Sequence, residues 1–182
     1  MEEVTIDSIR VSLTNYQRVV ILKLKSEDRY VPIWVGSNEA DAIAIKLQKV
    51  SLPRPLTHDL IISLLDEVGL SIEYILIESL KEETFYAKIA IRKNNKIIFL
   101  DARTSDAIAL SVRSQAPIFI NEDVVEKASV TLDHEQEKAL KKNENTDDIS
   151  NFEKSEENKQ KENLSDFVEF IDTLDLEGFG EN

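Results

Sequence analysis

Two polar turns in this chain carry the side chains whose types could perform chemistry. Asp59 and Asp101 offer carboxylates, Arg54 and Arg103 offer guanidinium groups, and His58 offers an imidazole. Carboxylates hold Mg²⁺ or Mn²⁺, a guanidinium neutralises negative charge that develops in a reaction, and an imidazole exchanges protons near neutral pH. All five residues lie where a strand or a loop leads into a predicted helix. The elements around those turns therefore decide whether the side chains meet.

The chain contains an internal duplication, and comparison of the two copies separates residue types that recur from those that occur in one copy only. Residues 100–110 (LDARTSDAIAL) repeat residues 35–45 (VGSNEADAIAI) in altered form, at an offset of 65 residues. Asp41 and Asp106 occur in both copies and would meet exposed amides at a helix start, which favours a structural role. The functional candidates occur in one copy only and are Asp101, Arg103, Arg54, His58 and Asp59.

Alternating apolar residues predict three strands in each copy, and helical spacing predicts two helices. The first copy, about residues 4–69, has strands at 4–13, 19–24 and 30–35, a helix capped by Ser37 or Asn38, and a helix that Thr57 caps and that ends at Gly69. The second copy, about residues 70–130, has strands at 71–80, 84–92 and 96–101, a helix at 104–114, an extended piece at 117–120 and a short helix capped by Asn121. The predicted fold is α+β, with two β3α2 repeats forming a largely antiparallel sheet covered by helices.

The predicted helices differ in how they are expected to pack. Alanines recur in the two Asp-Ala-Ile-Ala sequences, so these two helices are expected to approach each other closely. Pro53 and Pro55 stiffen the loop before the other helix of the first copy. That loop would hold His58 and Asp59 in a first helical turn, whose free amides also suit phosphate. The apolar stripe of this helix is expected to face the core and consists of Leu60, Ile61, Leu64, Leu65 and Val68.

Composition limits the classes of protein that the chain can represent. Its 182 residues, 42% of them hydrophobic, suit one domain with a proper core. The absence of cysteine excludes disulfides and cysteine nucleophiles and is compatible with a reducing compartment. The first residues do not form a basic and apolar leader, and no apolar run approaches the roughly 20 residues of a membrane span. We therefore expect a cytoplasmic protein without a membrane partner.

The negative charge of the chain is concentrated near its C-terminal end. The net charge is −13, and residues 141–182 contain 13 acidic residues against 5 lysines. Any bound polyanion must therefore meet a local basic patch. Residues 133–163 are predicted to be a disordered polar linker within this acidic tail. Residues 164–176 are predicted to form an amphipathic helix. One interpretation is that this helix recognises a protein partner or the chain's own surface. The other is that it docks passively or frays.

Four separated blocks closely resemble the bifunctional nuclease (DNase/RNase) domain family. They are residues 33–40 (IWVGSNEA), 53–60 (PRPLTHDL), 84–87 (TFYA) and 101–109 (DARTSDAIA), in the order that the family has. The resemblance covers about residues 4–132 and does not reach the tail. Thr104 stands where relatives usually have proline. The resemblance implies a nuclease-like domain over residues 1–132 that degrades DNA and RNA, without a catalytic assignment to carry over.

Two mechanisms stay open for such a nuclease. Metal-assisted hydrolysis would use Mg²⁺ or Mn²⁺ with arginines neutralising the developing charge, whereas acid/base cleavage around His58 would explain RNA better than DNA, which lacks the 2′-hydroxyl. Activity on both DNA and RNA favours the metal-assisted mechanism. The catalytic candidates are His58, Asp59, Asp101 and Arg103, the substrate-binding candidates are Arg54 and Arg113, and the candidate metal ligands are Asp101, Asp59 and Glu39.

The same residues also have a purely structural interpretation. Asp101, Arg103, Asp59 and Arg54 could form salt bridges that lock helix starts to strand ends. The chain would then be a non-enzymatic protein-binding or regulatory module that uses its tethered C-terminal helix. An open cleft where the charged groups converge would favour the enzyme, and buried pairing beside a large exposed apolar patch would favour the module. Homo-oligomerisation is compatible with both, through an edge strand at residues 30–35.

Overall fold

The computed structural model describes residues 1–11 and 17–131, which form one sheet with four helices. The strands lie in the order β3-β2-β1-β7-β4-β5-β6. β4 and β7 pair in parallel, and the other described pairs are antiparallel. The predicted α+β class with a largely antiparallel sheet is therefore confirmed. In chain order the elements are β1 (Glu2–Val11), β2 (Arg18–Leu24), β3 (Tyr30–Val35), α1 (Ser37–Leu47), α2 (Thr57–Glu67), β4 (Ser71–Lys81), β5 (Thr84–Lys93), β6 (Lys96–Arg103), α3 (Thr104–Ser114), β7 (Ile118–Ile120) and α4 (Glu122–Ala128).

The short strand β7 joins the two halves of the sheet. Ile118 lies opposite Val4 of β1 and Ile75 of β4, and Ile120 is fully buried. The equivalent positions of the first copy are Pro53-Arg54-Pro55. Proline lacks the N–H that a central strand must donate, so this segment cannot pair as β7 does. The same segment of the repeat thus forms a strand in the second copy and a stiff polar loop in the first.

Helix α3 is the most deeply buried helix. It contacts α1, α2 and the strands β4, β5 and β6. Ala107, Ile108 and Ala109 on this helix have no exposed surface. The predicted close packing of the two Asp-Ala-Ile-Ala helices is confirmed, because α1 contacts α3 and the small side chains let the two backbones approach. The ends of α3 therefore have fixed positions relative to α1, α2 and the sheet.

Several predicted boundaries differ from the observed ones. Gly36 and Leu56 are the N-caps of α1 and α2, so the prediction of Ser37, Asn38 or Thr57 in that position is wrong. In α2 the Asp59 carboxylate accepts the backbone N–H of Leu56 at 2.9 Å, which fixes the helix start one residue earlier. The linker at 133–163 and the helix at 164–176 lie outside the described residues. None of the helices in the described part is long and apolar enough to cross a membrane.

The predicted buried face of α2 is wrong in part. Leu60 and Leu64 are 61% and 60% exposed, and Val68 is also exposed. Ile61 and Leu65 pack against the core as predicted. The physical reason is that α2 rests on α3 along one side only. Leucines that lie slightly further around the helix therefore face solvent.

Adjacent leucines on α2 test this orientation. Leu64→Ala should change the free energy of unfolding by less than about 0.5 kcal/mol, because the side chain already faces water. Leu65→Ala should cost about 1–2 kcal/mol, because it removes partly buried methyl groups that pack on the core. Denaturant unfolding of the two variants measures the difference. Equal losses in the free energy of unfolding would contradict the observed orientation of α2, in which Leu64 faces solvent and Leu65 packs on the core.

Candidate functional site

Two charged residues on α3 face the first turn of α2. Asp106 and Arg113 lie about two helical turns apart, and His58 and Asp59 are neighbours at the start of α2. His58 meets Asp106, and Asp59 meets Arg113. These contacts bring the candidates of the first copy onto the helix of the second copy.

Four side chains form what we call the helix-start network, which consists of Glu39, His58, Arg103 and Asp106. Arg103 Nη2 donates to Glu39 Oε1 at 2.6 Å, and its Nε donates to Asp106 Oδ2 at 2.7 Å. His58 Nε2 lies 3.0 Å from Asp106 Oδ1. The hydrogen bonds to Asp106 and Glu39 raise the pKa of Arg103. The first turns of α1, α2 and α3 therefore meet around one guanidinium.

The charge on Asp106 determines how His58 can act. Burial works to raise the pKa of Asp106, but the hydrogen bonds from Arg103 and His58 outweigh it and hold that pKa below its ordinary value. An ionised carboxylate only accepts hydrogen bonds, so His58 Nε2 carries the shared proton. In the neutral ring Nδ1 is then unprotonated and able to accept a proton.

The helix-start network is open to solvent at Arg103. The Arg103 side chain is 67% exposed, whereas Glu39 and His58 are mostly buried. Gly36 leaves room for the Glu39 carboxylate, because a Cβ at that position would collide with Glu39 Oε2. The two ion pairs of Arg103 use Nε and Nη2, and a guanidinium has five N–H donors. Arg103 therefore keeps N–H donors for a further acceptor while it holds both carboxylates.

Asp59 and Arg113 form a second ion pair that is separate from the network. Arg113 Nε donates to Asp59 Oδ1 at 2.7 Å, and its Nη1 donates to the carbonyl oxygen of Ala109 at 2.9 Å. The Arg113 side chain is only 3% exposed. Burial works to raise the pKa of Asp59, but the Leu56 amide and Arg113 outweigh it and lower that pKa. Both carboxylate oxygens of Asp59 are thus engaged in holding α2.

A cavity of about 310 Å³, which we call the elbow cavity, opens beside this pair. It lies between the end of α1, the loop that precedes α2, and Arg113. Both substrate-binding candidates, Arg54 and Arg113, line it, together with Lys46 and Asp59. The rest of its lining is apolar and comes from Ile45, Val50, Leu52, Pro53 and Pro55.

The candidate metal ligands do not come together. Glu39 is bound by Arg103 and Asp59 by Arg113, while Asp101 lies exposed on β6. Across residues 1–11 and 17–131, no three His, Cys, Asp or Glu side chains are arranged to hold an ion. The prediction of this trio as one metal site is therefore not supported, because two of its carboxylates are turned toward different arginines.

Sequence reasoning missed Asp106 as a residue of the site. Its recurrence as Asp41 favoured a structural role, and Asp41 does pair with Arg18. Asp106 additionally contacts His58 from the other copy. Comparison of one copy with the other cannot reveal a contact between the copies. The available signal was that His58 and Asp106 both lie in the first turn of a helix.

Comparisons with known proteins agree on the class of domain. The bifunctional nuclease domain family matches residues 20–133, which include the helix-start network and the elbow cavity. An uncharacterized protein of Mycobacterium tuberculosis is 38% identical over 152 residues, 84% of this chain and 91% of that protein. Bifunctional nuclease 1 of Oryza sativa subsp. japonica is 24% identical over 106 residues, 56% of this chain and 32% of that protein. Bifunctional nuclease 2 of Arabidopsis thaliana is 25% identical over 116 residues, 60% of this chain and 35% of that protein.

Replacement of Asp59 tests the structural role of the second ion pair. Asp59→Asn should lower the free energy of unfolding by about 2 kcal/mol near pH 6, because the nearly buried Arg113 loses its charged partner. A carboxyl whose pKa is lowered by folding stabilises the protein above its ordinary pKa, here 3.8, and loses that contribution as the pH falls through the folded value.

The difference in the free energy of unfolding between wild type and Asp59→Asn should therefore shrink below about pH 4. Denaturant unfolding at a series of pH values measures it. Asp66→Asn serves as the control, because Asp66 is an exposed carboxylate on the same helix. A destabilisation by Asp59→Asn that is the same at all pH values would contradict the ion pair.

Proposed function

Because the chain belongs to the bifunctional nuclease domain family, we propose that it is a nuclease that hydrolyses phosphodiester bonds of DNA and RNA. The observation that carries this proposal is the pair of His58 and Asp106 beside the exposed Arg103. A base held by a carboxylate next to a guanidinium suits the attack of water on a phosphodiester. The plant relatives, which are named bifunctional nucleases, support the same class of reaction.

His58 serves as the general base in this proposal. Its Nδ1 takes a proton from the attacking water, while Nε2 keeps its proton and its hydrogen bond to Asp106. As the water oxygen bonds to phosphorus, the bond from phosphorus to the leaving sugar oxygen breaks, and that oxygen takes a proton from solvent. The negative charge of Asp106 stabilises the imidazolium that forms. A water nucleophile serves DNA and RNA alike, whereas a 2′-hydroxyl nucleophile would serve RNA alone.

Arg103 binds the phosphate that is attacked. Its remaining N–H groups donate hydrogen bonds to the non-bridging oxygens as the transition state forms. Glu39 and Asp106 hold the guanidinium from two sides, at 2.6 Å and 2.7 Å. Such orientation before the substrate arrives lowers the entropy lost on the way to the transition state.

Two expectations from the sequence stay predictions. A requirement for Mg²⁺ or Mn²⁺ is one, and a cytoplasmic location is the other. Glu39, Asp59 and Asp101 do not fit one ion as a set, so the proton transfer and the phosphate contact are assigned to the network itself. Asp101 makes no ion pair within residues 1–11 and 17–131, which makes it the carboxylate to test for a metal.

Asp106→Asn and Asp41→Asn form a matched pair for the nuclease test. The two aspartates occupy equivalent positions in the two copies, and each pairs with an arginine. Asp106→Asn should slow cleavage of labelled single-stranded DNA and RNA by about 100-fold, as should His58→Ala, because both remove the oriented base. Asp41→Asn should keep the rate within about twofold, because no base depends on it. Circular dichroism and thermal unfolding establish that each purified variant is folded.

The same assay with Mg²⁺, Mn²⁺ or EDTA decides the role of metal. Activity that survives in EDTA and fails in His58→Ala supports the histidine base. Activity that is lost both in EDTA and in folded Asp101→Asn would move the chemistry to an ion held by that carboxylate. Equal cleavage by every variant, or none by the wild type, would contradict the nuclease proposal.

A second candidate function is protein binding through β6, and we propose a second copy of this chain as the partner. β6 is the last strand of the sheet, and its side chains Ile97, Ile98, Phe99 and Leu100 are exposed. An apolar edge strand favours pairing with another strand, and β6 can pair antiparallel with itself about a twofold axis. The other edge strand, β3, contains Pro32, and its Tyr30 is already bridged to Val130.

Lysine substitutions on two exposed apolar surfaces test this self-association. Ile98→Lys should convert a dimer to a monomer, because a lysine on an edge strand disfavours pairing. Leu64→Lys adds the same charge on α2 and should leave the dimer intact. Size-exclusion chromatography with light scattering measures the mass over a concentration series. A wild type that stays monomeric throughout would contradict the proposal.

A further inference from the structure

We propose that the elbow cavity binds a nucleotide through a terminal phosphate, with the sugar and base against its apolar wall. This inference rests on the proposed nuclease function, because the bound nucleotide would be the end of a substrate strand beside the helix-start network. The chemistry recognised is a phosphomonoester attached to a nucleoside. A free nucleotide presents the same chemistry as a phosphorylated strand end.

The charge of the elbow cavity is opposite to that of the chain. Its lining contains the cations Lys46, Arg54 and Arg113 and the single carboxylate Asp59, whereas the whole chain has a net charge of −13. Asp59 already neutralises Arg113. Lys46 and Arg54 make no ion pair within the part of the chain that the structure describes. Lys46 does attract the Asp59 carboxylate across the cavity. The cavity therefore contains three cations against one carboxylate, and two of these cations have no ion-pair partner among the described residues.

A terminal phosphate matches these two cations better than an internal one. A phosphomonoester carries about −1.5 to −2 charges at pH 7, whereas a phosphodiester within a strand carries a single charge. Guanidinium and ammonium groups form strong charge-assisted hydrogen bonds with phosphate oxygens. The cavity is thus suited to the end of a strand or to a mononucleotide.

The backbone that carries Arg54 is restricted before a ligand binds. Pro53 and Pro55 flank Arg54 and restrict the backbone from which its side chain extends. Arg113 is fixed by its hydrogen bonds to Asp59 and to the Ala109 carbonyl oxygen. A cavity wall that is already ordered loses little conformational entropy on binding, so more of the interaction energy appears as affinity.

The remaining wall suits the uncharged part of a nucleotide. Val50 and Leu52 are exposed apolar side chains at the cavity, and Ile45 lies beside them. A sugar or a base ring placed on this wall would cover apolar surface that now faces water. The volume of about 310 Å³ lies at the small end of the range typical of ligand cavities, which suits one nucleotide.

The position of the cavity links it to the proposed chemistry. Asp59 lines the cavity, and the preceding residue, His58, belongs to the helix-start network. A strand end held in the cavity would therefore bring a phosphodiester of the same strand toward the network. The enzyme would prefer strands that carry a terminal phosphate.

Isothermal titration calorimetry of the full chain tests the site without turnover. The probes are adenosine 5′-monophosphate, adenosine 3′-monophosphate, adenosine and inorganic phosphate. At least one of the two monophosphates should bind more tightly than phosphate, and adenosine should bind weakly. Arg54→Gln should weaken monophosphate binding about tenfold or more, because it removes a charged donor. Arg92→Gln, which removes the same charge from the surface of β5, should change it by less than about twofold.

A second titration distinguishes the two sources of the phosphate. Short single strands with and without a phosphate at either end are titrated into His58→Ala in EDTA, where cleavage is expected to be about 100-fold slower or absent. Tighter binding of a phosphorylated strand, lost when Arg54→Gln is added, supports the strand-end site. Monophosphate binding without any preference among strands would keep the nucleotide site and overturn its role for strand ends.

The outcome is separable from that of the nuclease assay. Monophosphate binding that depends on Arg54 supports the cavity as a nucleotide site even if wild type cleaves nothing. Absence of monophosphate binding, or equal weakening by Arg92→Gln, overturns the inference even if the chain is an active nuclease.

Discussion

The contact between α2 and α3 is the constraint on which the candidate site depends. Helix α2 buries only one side, and Leu60 and Leu64 on its other side face solvent. Two polar pairs bind its first turn to α3, through His58 with Asp106 and through Asp59 with Arg113. The structural and catalytic interpretations of these residues are therefore compatible, because the contacts that position α2 also orient an imidazole and define a cavity.

The duplication explains why the site is asymmetric. At equivalent positions one copy forms the central strand β7 and the other forms the loop Pro53-Arg54-Pro55. The strand completes the sheet, and the loop forms a wall of the elbow cavity. Likewise Asp41 pairs with Arg18, whereas Asp106 contacts both Arg103 and His58. Each copy thus supplies structure where the other supplies side chains of the candidate site.

The sequence predicted the fold better than the site. Periodicity and the repeated alanines correctly indicated the strands, the helices and the packing of α1 on α3, because these depend on local patterns. The exposed side of α2 could not be predicted, since it depends on how far α3 covers that helix. The meeting of His58 with Asp106, and the separation of Glu39 from Asp59 by different arginine partners, depend on tertiary contacts between the copies. Spacing along the chain does not encode those contacts.

The most direct measurement is the nitrogen-15 NMR spectrum of the His58 ring with and without a single-stranded oligonucleotide. The chain contains two histidines, so a His58→Ala sample assigns the signals. We expect His58 to be protonated at Nε2, as the bond to an ionised Asp106 requires, and its Nδ1 signal to shift when the oligonucleotide is added. A ring protonated at Nδ1, or ring signals that do not respond to the oligonucleotide, would contradict the role of His58 at a nucleic-acid site.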